Sequence, residues 1–79
     1  MIVRFFARAR DVVGQDSCQL DLPPGALVRD LHRRLLLEYP GLADLLKHSV
    51  IAVDQKLASA DMAISNHNEA AVLPPVSGG

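Results

Sequence analysis

The sequence predicts an α+β fold, a mixed β-sheet packed on one main helix with an extended C-terminal tail. Three observations predict it: alternating apolar runs on either side of Gly14, a single amphipathic helical pattern at residues 28–39, and three short strand-like runs after it. Residues 1–74 read as one domain and residues 75–79 as the tail. With 79 residues, of which 49% are apolar, one small core is the limit.

Residues 2–9 alternate, with Val3, Phe5 and Ala7 on one face and Ile2, Arg4, Phe6 and Arg8 on the other, which predicts a strand. Residues 10–16 hold Gly14 among polar side chains and are expected to turn the chain. Cys18, Leu20 and Leu22 then alternate with Ser17, Gln19 and Asp21 in a second strand, antiparallel to the first. Pro23-Pro24-Gly25 breaks the sheet pattern, because proline cannot donate to a ladder and glycine permits a turn. Val28, Leu31, Leu35, Leu36 and Tyr39 recur at helical spacing, and Pro40 stops that helix. Leu27, ahead of it, has no oxygen to cap the helix, an omission expected to cost about 1 kcal/mol. Asp30 in the first turn recovers part of that through the helix dipole.

Residues 42–47 suit a short second helical turn, and residues 49–53 a strand. Asp54-Gln55 marks a tight turn back through residues 56–58. Asn66-His67-Asn68 reads as the last turn, asparagine tolerating left-handed backbone, before a closing strand at residues 70–73. Strand, strand, helix, strand, short strand, strand is the order of the ubiquitin-like β-grasp.

Composition narrows the partners. A net charge of −1 with mixed signs provides no basic stripe for nucleic acid, and no apolar segment approaches the roughly 20 residues that cross a bilayer. The single Cys18 closes no internal disulfide and no leader pattern opens the chain, so a reducing, cytoplasmic location is expected. Cys18, in step with Leu20 and Leu22, reads as a buried structural residue. His32, His48 and His67 lack paired ligand spacing, so no metal site is expected and all three read as surface residues. Arg29, Arg33 and Arg34 read as a solvated helix side able to guide an acidic partner.

The chain stops on Pro74-Pro75-Val76-Ser77-Gly78-Gly79. Two prolines stiffen the backbone toward polyproline II, and two residues without Cβ make a thin tip, so the tail reads as a stalk that presents its carboxylate to a narrow channel. From Pro75 it reaches about 16 Å at most. Phe6 shares a predicted face with Arg4 and Arg8, and Leu73 joins that face if Ala70 and Val72 point inward. An apolar docking patch beside the root of the tail is therefore expected.

The segment Phe5-Phe6-Ala7-Arg8-Ala9-Arg10-Asp11-Val12-Val13-Gly14, the run Val50-Ile51-Ala52-Val53-Asp54-Gln55 and the Pro-Pro-Val-Ser-Gly-Gly end together resemble the small, sulfur-carrying subunits of molybdopterin synthase. The resemblance implies that an activating partner of the ubiquitin-activating type uses ATP to adenylate Gly79. Sulfur from a donor enzyme then replaces AMP, leaving a C-terminal thiocarboxylate. The loaded tail enters the large synthase subunit, in a heterotetramer, and donates sulfur to cyclic pyranopterin monophosphate. On this reading Gly79 carries the chemistry and Gly78 keeps it accessible. Phe6, Leu73, Pro74, Pro75, Val76 and Ser77 contact partners, and the chain binds no cofactor of its own.

With no Gly-rich phosphate loop in the sequence, activation is expected in trans, and the chain is not an enzyme by itself. Three alternatives remain: a sulfur carrier for thiazole synthesis, a ubiquitin-like modifier ending in an isopeptide bond, and a plain interaction module. The first normally lacks a Pro-Pro-Val stalk, and the second is disfavoured by the absence of a basic residue before the diglycine.

Overall fold

The computed structural model describes residues 1–75. Its elements are β1 (Ile2–Phe5), α1 (Ala7–Val13), β2 (Ser17–Gln19), α2 (Val28–Glu38), a 3-10 turn (Pro40–Leu42), α3 (Ala43–Leu46), β3 (Val50–Val53), β4 (Lys56–Leu57) and β5 (Glu69–Leu73). The five strands form one sheet in the order β2-β1-β5-β3-β4. Only the β1–β5 pair is parallel, with Val3 beside Ala70 and Phe5 beside Val72; the others are antiparallel. A mixed sheet carrying one main helix is what the hydrophobic pattern predicts.

The core lies between one face of the sheet and α2. Val3, Phe5, Ile51, Val53, Ala70 and Val72 enter it from the strands, while Val28, Leu31 and Leu35 enter from the helix. Leu42 and Leu46 close one end, and the Phe5 ring meets Tyr39 edge to face at 5.6 Å. Pro23-Pro24-Gly25 makes the expected turn, with Gly25 at φ 82° and the Ala26 N–H donating to the Pro23 carbonyl at 3.2 Å.

The first strand is shorter than its alternation predicts. It stops at Phe5, and residues 7–13 are helical rather than extended, so the expected turn at residues 10–16 is largely helix. Alanine and arginine alternating as Ala7-Arg8-Ala9-Arg10 satisfy a period of two, yet both are strong helix formers. Gly14 ends the helix in the left-handed region, its N–H donating to the Arg10 carbonyl at 2.8 Å.

Nor does the uncapped helix start remain uncapped. Asp30 Oδ2 accepts from the Leu27 N–H at 2.8 Å, and the Val28 and Arg29 N–H groups donate to the carbonyls of Met62 and Ala60 at 2.9 and 3.0 Å. Donors usually satisfied by a side chain are thus satisfied by a distant loop.

The Asn66–Asn68 turn also works differently from expectation, since neither asparagine adopts positive φ. Their side chains act instead. Asn66 Oδ1 accepts from the Leu22 N–H at 3.0 Å while its Nδ2 donates to the Leu22 carbonyl at 3.1 Å, and Asn68 Oδ1 accepts from the Ser65 N–H at 2.8 Å.

Left-handed geometry falls instead on the β3–β4 turn, with Asp54 at φ 49° and Gln55 at φ 70°. Asp54 accepts the Glu69 N–H at 2.9 Å and Asn68 Nδ2 at 2.7 Å. Those donors, the Glu69 N–H foremost, hold its carboxyl below the usual carboxylate range. A depressed folded-state value means that the contribution to stability is present above the unfolded value and is lost as pH falls through the folded one. Wild type is therefore expected to melt above Asp54→Asn at pH 7, with the gap closing as acid protonates Asp54. A gap that stayed constant down to pH 2 in parallel melts would contradict this.

Candidate functional site

The arrangement of β5 creates the site. It is the central strand, flanked by β1 and β3, and the chain leaves the sheet from its end through Pro74 and Pro75. Ala70 and Val72 are fully buried beneath α2, so by alternation Ala71 and Leu73 lie on the opposite face. Among the described residues no helix covers that face, on which Ile2, Val50 and Leu57 remain open to water.

The open face is apolar along β5, β3 and β4 and mixed toward β1 and β2, where Ile2 lies beside Gln19 and Glu69 and Arg4 beside Ser17 and Ala71. The register sets Leu57 beside Ala52, Ala52 beside Ala71, and Val50 beside Leu73. Ile2, Phe6 and Val50 are each about half exposed, and Leu57 is 74% exposed. The charged members, Arg4 and Glu69, form an ion pair with each other. Large apolar side chains open to water around the base of a tail are the signature of a surface meant to be covered.

Phe6 is exposed as expected, but as the residue that precedes α1 rather than as a strand residue. It borders, with Arg4, Ala71 and Gln55, a hollow on the open face. Arg8, predicted beside it, is carried round by α1 to a second hollow with Val12, Leu45, His48 and Pro75, at the root of the tail. Leu73 and Pro74 are half-buried and Pro75 is exposed. Val76, Ser77, Gly78 and Gly79 lie outside the described residues, as does the expectation that the tail is a loose tip.

Ile2, Val50 and Leu57 complete the patch and were not legible as site residues. Exposed alternate positions on the short β3 and β4 become a patch only through pairing with β5.

Cys18 is half-buried rather than enclosed, because β2 is an edge strand. Desolvation pushes its thiol up, Glu38 adds to this, and the neighbouring Tyr39 hydroxyl partly opposes it. At neutral pH it is a thiol, poorly suited to nucleophilic work. His48 and His67 are exposed; His32 is half-buried, turned toward β3. Among the described residues no three His, Cys, Asp or Glu side chains are grouped to hold a metal, and no helix is long and apolar enough to cross a membrane.

A five-stranded mixed sheet clasping one main helix, in a sequence that ends Gly-Gly shortly after the central strand, defines a ubiquitin-like β-grasp protein. Residues 3–79 match the ThiS family, and the chain belongs to that family. It is 38% identical to the molybdopterin synthase sulfur carrier subunit of Dictyostelium discoideum, over 98% of this chain and 93% of that protein. It is also 34% identical to small archaeal modifier protein 3 of Haloferax volcanii, over 98% and 96%.

Among solved structures, SAMP1 from Haloferax volcanii superposes with a TM-score of 0.90 at 26% identity, covering 100% of this chain and 98% of that one. A protein–protein complex of subunits 1 and 2 of the molybdopterin-converting factor from Helicobacter pylori matches with a TM-score of 0.71 at 25% identity, covering 99% and 96%.

Proposed function

We propose that this chain is the sulfur carrier of a molybdopterin synthase, acting as the small subunit beside a larger catalytic one. The observation that carries the reading is the apolar open face of the sheet, which runs into Leu73 and Pro74 where the tail begins. The matching sulfur carrier subunits and the two-subunit complex support it.

The chemistry assigned to the tail follows from its end group. A carboxylate is a poor electrophile. Attack of a Gly79 carboxylate oxygen on the α-phosphorus of ATP expels pyrophosphate and leaves an acyl adenylate, from which AMP departs readily. The outer sulfur of a donor persulfide displaces AMP to give an acyl disulfide. A thiol of a partner protein then attacks the donor-side sulfur, forming a disulfide and releasing the thiocarboxylate, anionic at neutral pH with a soft nucleophile. The activating enzyme, the sulfur donor and the large subunit are separate proteins on this reading. This chain supplies the carboxylate, its reach and the docking face, with no resident cofactor, in the cytoplasm. Two donations to cyclic pyranopterin monophosphate build the dithiolene.

Intact-mass spectrometry after incubation with ATP, an adenylating enzyme from the same cell and a sulfide source tests this directly. The expected result is the gain of one sulfur for one oxygen at Gly79, reversed when the large subunit and the pterin precursor are added. A stable mass shift ignored by those two would assign the carrier to another acceptor, such as a thiazole precursor. The likeness to archaeal modifier proteins favours a second reading, conjugation to lysine; a covalent protein adduct would establish it.

Docking through the open face makes its own prediction. Phe6→Asp is expected to weaken binding to the large subunit by about tenfold or more, as loss of a buried aromatic anchor does. Its melting temperature should stay within a few degrees of wild type, because the ring is half exposed. Titration calorimetry and thermal melts on the same preparation check both halves.

A further inference from the structure

A second concave surface lies on the helix side of the sheet and shares only Val50 with the open-face patch. It is a groove of about 570 Å³ between α2 and β3, with Val28, Leu36, Ile51 and Ala58 among its walls. We propose that this groove receives an extended apolar peptide segment of another protein, flanked by acidic residues, which pairs with the short stretch of β3 that β4 leaves uncovered. The proposal does not depend on the sulfur-carrier reading.

The backbone makes room for such a segment. β4 pairs with β3 only at Ala52 and Val53, and a single further bond, from the Ala58 N–H to the Ile51 carbonyl at 3.0 Å, ends the ladder. The chain then departs toward the start of α2, where the Ala60 carbonyl accepts the Arg29 N–H. It therefore leaves the Ser49–Val50 end of the edge without a strand on it. The Ser49 N–H is taken by the Leu46 carbonyl and Val50 pairs with Leu73. An added strand would therefore find the Ile51 N–H and the Ser49 carbonyl as main-chain partners and apolar walls for its side chains, the combination by which strand addition joins affinity to selectivity.

Charge selects the chemistry of the guest. Arg29, His32 and Arg33 stand one helical turn apart on the groove's rim, and none of the residues lining it is acidic. Arg29 is paired with Asp61. Arg33 is exposed and, among the described residues, makes no ion pair, so its guanidinium is free to take a carboxylate in a forked contact. An aliphatic segment alone would leave that rim unused; a basic one would be repelled by it.

The probe is an acetylated peptide of four alternating Val and Ile residues followed by three Asp, titrated into the full chain labelled with nitrogen-15. Amide shifts are expected at Ser49, Val50 and Ile51 and along α2 from Arg29 to Leu36. Arg33→Glu is expected to weaken binding tenfold or more with an unchanged melting temperature, and Arg33→Lys to retain most of it.

Equal binding of the same peptide with Lys in place of Asp would overturn the proposal. So would shifts confined to Phe6, Leu73 and the open face, or no shifts at millimolar peptide. Concentration-dependent shifts at the groove without any peptide would give it to a second copy of this chain instead.

Discussion

Adding one alanine after Gly79 is expected to abolish sulfur loading while leaving the fold and its melting temperature unchanged. The reactive carboxylate would then belong to a residue with a Cβ, placed one residue, or about 3.5 Å, farther from the domain. On the proposed reading, both changes act against a partner channel shaped for a bare backbone. Deleting Gly79 shortens the reach by the same step and is expected to be equally inactive. Neither change alters residues 1–75, so the domain is expected to melt as wild type does, which separates the effect from instability. Intact-mass analysis after the activation reaction, alongside thermal melts, reads both quantities; a tail-extended variant that still gained sulfur would refute the assignment of chemistry to this end.

The second large effect lies in the core. Leu35 is fully buried on α2, within the cluster that includes Val3, Leu31 and Val72. Leu35→Ala leaves a cavity that the surrounding strands and helix fill only partly, costing about 2–5 kcal/mol. A domain of this length has total stability on the order of 4–12 kcal/mol. The melting temperature is expected to fall by roughly 10–25 °C, with sulfur loading lost in step with the folded fraction. A drop of under 5 °C in calorimetry would show that the site collapses without a cavity.

Much of this architecture was legible because its determinants are local. The helix at residues 28–38 follows from Val28, Leu31 and Leu35 with Pro40 beyond, and the tight turn at Asp54-Gln55 follows from its place between apolar runs. What escaped was decided elsewhere in the chain. Ala7-Arg8-Ala9-Arg10 fits either period, and packing against the Pro40–Leu42 turn, where Val12 closely approaches Gly41, accompanies the helical outcome. The cap of α2 comes from Ala60 and Met62, some thirty residues downstream, so no inspection of Leu27 and its neighbours could reveal it. For the candidate site, Phe6 and Leu73 were singled out from alternation and placement near the tail, and the structure leaves Phe6 exposed and Leu73 half-buried. Ile2 was placed on the Phe6 face by alternation without being singled out, whereas Val50 and Leu57 were missed because only cross-strand register brings them alongside.

The position of β5 has a consequence for how this molecule comes into being. Residues 69–73 fill the gap between β1 and β3, so a nascent chain that has emerged only as far as residue 68 holds two separate hairpins, β1 with β2 and β3 with β4, and no joined sheet. Joining them requires contacts between segments nearly seventy residues apart, which makes folding a late event in synthesis rather than a progressive one. Ribosomes stalled before Glu69 would release chains without a completed domain, available to proteases and to aggregation. The strand that leads into the tail is also the strand that licenses the fold, so a folded domain has its tail-bearing strand in place.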